Sequence, residues 1–97
     1  MMPSNVEMSF RIEEGPVQQN SADQYEQRVL AMMFRMADYY RNSHNLRQAM
    51  EMYFKMVDEY PDAPEARLAR ERLLEIAEHY ENRGDMRQAR AICEKLR

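Results

Sequence analysis

Cysteine occurs once in this sequence, at Cys93, tryptophan not at all, and glycine only at Gly15 and Gly84. A single thiol closes no internal disulfide, so nothing here marks a disulfide-stapled exported domain. Two glycines and four prolines are too few for the turn-dense all-β classes and favour long helices. No apolar stretch approaches the roughly 18 residues that span a bilayer. The start, Met1-Met2-Pro3-Ser4-Asn5-Val6-Glu7, lacks the basic residues and apolar run of a secretory signal. The cytoplasm is therefore the expected compartment, with no membrane insertion. No block of like charge marks a nucleic-acid arm or a membrane patch. Twelve of the fourteen cations are Arg, which suits an RNA-reading helical repeat, yet the net charge is −3. Phosphate affinity needs net positive charge along a groove, so no nucleic-acid partner is expected.

What is present fits one small domain. Ninety-seven residues, 44% hydrophobic and 32% charged, suit a globular or coiled chain. A chain this short buries only about 60–65% of its unfolded surface, which leaves a single core little stability to spare.

Residues 1–22 differ from the rest. Pro3, Gly15, Pro16 and the polar run Gln18-Gln19-Asn20-Ser21 argue against a continuous helix. Within this segment Val6, Met8, Phe10 and Ile12 alternate with Glu7, Ser9 and Arg11. Period two reads as one half-buried strand over 6–12, with a tail in which the alternation is accidental as the other reading.

From Ser21 the period is helical. Ser21 and Gln24 form a capping box opening a helix to about Arg41, with Tyr25, Val29, Met33, Met36 and Tyr40 as its inward positions. Apolar residues extend nearly all round it, which predicts packing on more than one side. Asn45 caps a second helix whose face is Leu46, Ala49, Met50, Tyr53, Met56, Val57 and Tyr60, with Glu51 and Lys55 paired outside. Pro61 ends it. Asp62 is the expected cap of a third helix, with Pro64 in its first turn and Ala66, Ala69, Leu73, Ile76, Ala77 and Tyr80 inward. Gly84-Asp85 turns the chain into a last helix reaching the final residue, with Met86, Ala89, Ile92, Cys93 and Leu96 on one face.

Residues 30–57 laid over 70–97 reveal an internal repeat at an offset of 40. Ala37, Tyr40, Asn42, Arg47, Gln48, Ala49 and Lys55 meet identical residues at Ala77, Tyr80, Asn82, Arg87, Gln88, Ala89 and Lys95. Two helices per unit of this length mean stacked helical hairpins. The fold class is therefore all-α: four helices in two stacked antiparallel hairpins, units 23–61 and 62–97, preceded by an extended segment.

In these residues the chain resembles the tetratricopeptide repeat family. Ala37, Tyr40, Ala49, Tyr53 and Pro61 sit at the family's small, aromatic and closing-proline places, and Ala77, Tyr80, Gly84, Asp85 and Ala89 match them in the second unit. The family period is about 34 residues; the longer period here, with Tyr60-Pro61-Asp62-Ala63-Pro64-Glu65-Ala66, is similar to a long-helix bacterial variant found in outer-membrane assembly and Tol-associated repeat proteins. Ser43-His44 stands where glycine is usual, and Cys93 replaces the second aromatic. The resemblance implies a partner-binding inner face on the first helix of each unit, placing Phe34, Asp38, Arg41 and Asn42 beside Leu74, Glu78, Glu81 and Asn82. Carboxylate-clamp members carry Lys and Asn where this chain has Phe34 and Asp38, so capture of a C-terminal carboxylate is disfavoured.

Catalytic patterns are missing: there is no Gly-rich phosphate loop, no Gly-x-Ser-x-Gly and no His-Glu-x-x-His. Glu75, Glu78 and His79 share a helix and could suggest a metal, but a helical di-iron site needs Glu and His three apart in two copies. Surface ion pairing is the expected role of these residues, His44 is a turn residue, and Cys93 an inert buried thiol. Ten methionines are an excess, concentrated in the first hairpin. Met33, Met36, Met50 and Met56 read as core, whereas Met32, Met52, Phe34 and Phe54 lie off the stripe and suit an adaptable binding surface.

These readings converge on a non-enzymatic, cofactor-free and metal-free protein-interaction module that binds a polypeptide. The rivals are an obligate structural subunit with no separate ligand, and a metal-dependent enzyme. Self-association, most simply as a dimer, is expected through Val6, Met8, Phe10 and Ile12 and through Met86, Ile92 and Leu96. Two hairpins fall short of the three repeats that usually stand alone.

Overall fold

Alanine, leucine, methionine, arginine, glutamate and glutamine dominate the chain after residue 15, and all are good helix formers. The computed structural model describes residues 16–97, with side chains from residue 21. The described residues form four helices: α1 Pro16–Asn42, α2 Leu46–Glu59, α3 Pro64–Asn82 and α4 Met86–Lys95. No strand occurs among the described residues. The expected strand of Val6, Met8, Phe10 and Ile12 lies outside them.

Loops of three or four residues leave consecutive helices no choice but to run antiparallel and pack. Each helix packs on the next, and α1 also touches α3, so two hairpins, α1–α2 and α3–α4, stack side by side. The two hairpin turns repeat bond for bond. Asn45 N–H donates to Tyr40 O at 2.8 Å, as Asp85 N–H does to Tyr80 O at 2.8 Å. The left-handed residue is His44 at φ 65° in one turn and Gly84 at φ 85° in the other. Asn45 then accepts from Gln48 N–H, and Asp85 from Gln88 N–H, at the starts of α2 and α4.

The core runs through both hairpins. Ala37 and Ala49 are fully buried at the α1–α2 approach, and Ala77 and Ala89 do the same for α3–α4. A methyl at each place lets two helices close, and larger residues fill the space beside them. Tyr53, Met56 and Leu73 are the largest side chains with essentially no exposure. No polar or charged residue is buried among the described residues.

Several expectations are corrected. Helix α1 begins at Pro16, not Ser21, because a proline in the first turn surrenders no hydrogen bond that the helix could make. Ala63, not Asp62, is the cap of α3, with no side-chain hydrogen bond; Pro64 already supplies the helical φ and removes one orphan donor. Lys55 pairs with Glu59 at 3.6 Å rather than with Glu51. Cys93 is exposed, not buried. Ile92 and Leu96 are buried inside their own domain, with Arg70 Nη2 donating to the Leu96 carbonyl at 2.9 Å, so only Met86 of that set is open for self-association. Met36 and Tyr25, expected in the core, are exposed. α1 therefore packs on one flank, and no other described residue covers the flank that carries Tyr25 and Met36.

Candidate functional site

Two surfaces carry the unusual residues. The first lies where α1, α2 and α3 meet. The α1 positions Phe34, Asp38 and Arg41 recur at spacings of four and three, which puts them on one face of the helix. Arg72 and Glu75 of α3 answer them. Arg72 Nε donates to Asp38 Oδ1 at 3.2 Å, and Arg41 Nη1 donates to Glu75 Oε1 at 3.3 Å. The Tyr53 hydroxyl of α2 donates to the same Asp38 oxygen. The Arg72 guanidinium also sits 5.4 Å from the centre of the Phe34 ring, and that ring lies 6.1 Å from Tyr53.

Electrostatics follow from this geometry. Burial first, and then the hydrogen bond to the Asp38 carboxylate, hold the Tyr53 proton far above the ordinary tyrosine range. Burial works against charge on Arg72, but the Asp38 hydrogen bond and the negative charges of Asp38 and Glu75 outweigh it and raise its affinity for the proton. Asp38 therefore serves as a shared acceptor that ties three helices together. Arg41 Nε is buried without a partner while its Nη1 reaches Glu75.

Of the eight inner-face positions that the resemblance implied, the structure engages three. Phe34, Asp38 and Arg41 are half-buried and engaged with α2 and α3, whereas Leu74, Glu78, Glu81, Asn42 and Asn82 are exposed. Leu74, Glu78 and Glu81 lie about a third of a turn round α3 from Arg72 and Glu75, on its other flank. The two sets are thus equivalent by the repeat but are not neighbours. Glu75 is an ion-pair partner, as expected, and among the described residues no group of three or more His, Cys, Asp or Glu side chains is placed to hold a metal. His79 packs edge-on against Tyr80 and lines a shallow cleft of about 170 Å³ with Arg41, His44 and Ile76. Phe54 and Met52 are half-buried, and Lys95 Nζ caps the Phe54 ring at 4.5 Å.

The second surface is the bare flank of α1. Tyr25 is 64% exposed, Met32 52%, Met36 43% and Tyr39 68%, with half-buried Val29 between them. Spacings of four, three, four and three make these five residues one stripe along about 21 Å of helix. Met32, Met36 and Tyr39 line a shallow groove of about 380 Å³ with Arg35 and Tyr40. The helical period of α1 taken alone points Tyr25 and Met36 into the core, whereas both lie on this exposed stripe. The 40-residue register held the signal: the stripe is the image of 65, 69, 72, 76 and 79, the α3 positions turned toward the preceding hairpin.

No protein-family model, curated protein or solved structure matches this chain. No helix among the described residues is long and apolar enough to cross a membrane.

Proposed function

We infer that this chain is a tetratricopeptide-like protein-interaction module that binds a polypeptide and performs no catalysis of its own. The observation that carries the reading is the exposed stripe on α1. Four large apolar side chains on one helix face cost solvation in a free protein, and such patches mark surfaces that another protein covers. Three of them are Met and Tyr residues framing a groove, and methionine adapts to varied partner shapes. The inner-face cluster of Phe34, Asp38 and Arg41 belongs to the joint between hairpins, so it sets their relative position and the stripe takes the contact. The lone cysteine and net charge of −3 support a cytoplasmic place and a protein partner over a nucleic acid.

The test is site-specific photo-crosslinking in the native cell. A photoreactive residue at Tyr39 should yield a discrete adduct with another polypeptide, while one at Glu51, exposed on α2 away from the stripe, should not. Equal labelling at both places would overturn the reading. The second reading is a structural subunit with no separate ligand, favoured by the same stripe if the only adduct is with another copy of this chain.

A further inference from the structure

The internal repeat says what the stripe fits. Inside the molecule, α3 packs on α1 and α2, and three of its contacts have images at the open edges. Arg72 lies over Phe34. Glu75 pairs with Arg41 at 3.3 Å. Ile76 shares a cleft with Leu46. Shifting each docking residue back by 40 gives Met32, Arg35 and Met36, which lie on or beside the bare stripe of α1. Shifting each receiving residue forward by 40 gives Leu74, Glu81 and Met86, which are all exposed on the far side of the second hairpin.

The two open edges are complementary in kind. In the same register Met32 would face Leu74, each 52% exposed, and Met36 would face Met86. Arg35 would face Glu81, the Arg41–Glu75 ion pair with its signs exchanged. One internal contact has no counterpart, because Met32 stands where Arg72 holds Asp38; Glu78, the image of Asp38, stays at the solvated rim. The turns that position these residues are the same on both hairpins, down to the hydrogen bonds and the left-handed residue. A receiving edge built on α3–α4 therefore presents its side chains much as α1–α2 presents those that already hold a hairpin.

We propose that a second copy of this chain docks its α1 stripe on the Leu74–Glu81–Met86 edge, continuing the hairpin stack from one molecule into the next. The proposal rests on the reading of the stripe as a protein-binding surface and names its occupant. Each contact joins two different surfaces, so every docked molecule still offers one free edge of each kind. Such a head-to-tail contact grows into a chain of copies or closes into a ring, unlike a two-fold dimer, which consumes the same patch on both partners.

Sedimentation velocity of the full chain over a micromolar to millimolar series tests this. Wild type should sediment faster as concentration rises, passing beyond a dimer. Met32→Glu and Leu74→Glu should each give folded monomers, since both side chains are half in solvent and circular dichroism melting should barely change. A mixture of the two variants should form a 1:1 pair, because one keeps a good receiving edge and the other a good stripe. Glu81→Arg should weaken association roughly tenfold, and adding Arg35→Glu to the same chain should restore it. A wild type that stays monomeric throughout overturns the proposal, as does a mixture that never pairs or a dimer dissolved by only one of the two Glu substitutions. A monomer whose Tyr39 still crosslinks to a different polypeptide would overturn docking between copies while leaving the interaction module standing.

Discussion

The two hairpins are alike in sequence register and unlike in burial, and the difference lies in what covers them. Ala69, Leu73 and Ile76 of α3 are buried, whereas their images Val29 and Met33 are half-buried and Met36 is 43% exposed. Nothing in the local periodicity separates these sets, since both lie on an apolar stripe at helical spacing. What separates them is that α3 has a hairpin in front of it and α1 shows none among the described residues. The receiving side reverses the pattern: Phe34 and Asp38 are occupied by α3, and Leu74 and Glu78 stand open. A repeat unit of this kind has a leading and a trailing edge, and the fold satisfies one of each.

Substitutions at register partners should expose this asymmetry. Leu73→Ala empties a fully buried site in the core and should cost about 2–5 kcal/mol of unfolding free energy. Met33→Ala, its image, should cost less than half as much, both read by urea denaturation at low protein concentration. Equal losses would show that the two hairpins share their burial evenly.

Asp38→Ala removes the acceptor of a buried tyrosine hydroxyl and the partner of Arg72, and should cost about 1–3 kcal/mol. Glu78→Ala, at the equivalent exposed place, should stay within about 0.5 kcal/mol of wild type. The same contrast predicts a pH effect. Tyr53 keeps its proton in the folded state to a pH above the value at which the unfolded chain releases it, about 10. Below that pH its contribution is fully present; above it the unfolded state binds fewer protons, so stability declines. One proton limits the slope to about 1.4 kcal/mol per pH unit. Tyr53→Phe should flatten this alkaline limb in thermal melts between pH 9.5 and 11, and an unchanged limb would contradict the role assigned to Tyr53.

The smallest expected effect is at the turns. His44 holds a left-handed conformation that Gly84 adopts freely. His44→Gly relieves that strain but loosens the unfolded chain, for a net gain of about 0.5–1 kcal/mol, and Gly84→Ala should lose about as much. Opposite signs at these two positions, read as melting-temperature shifts, would sharpen the equivalence of the turns; like signs would break it.

Much of the fold was legible from the residues because its causes are local. Asn45 and Asp85 cap helices through side-chain oxygens three residues from their donors, and the offset of 40 pairs Ala37 with Ala77 and Ala49 with Ala89, the methyl contacts that close each hairpin. Local patterns also point to Asp62 as a cap and to Glu51 beside Lys55, and geometry instead sets Ala63 at the cap and Glu59 beside Lys55. The Asp38–Tyr53–Arg72 joint was beyond reach, because it joins side chains from three helices, with Asp38 and Arg72 separated by 34 positions.

The residues alone determined four helices, their turns and their pairing into two hairpins, since helix propensity, caps and loop length act within a few residues of one another. Tertiary structure alone decided which apolar stripe is core and which is surface. Burial depends on what a helix packs against, and the same periodicity meets a hairpin on α3 and none among the described residues on α1.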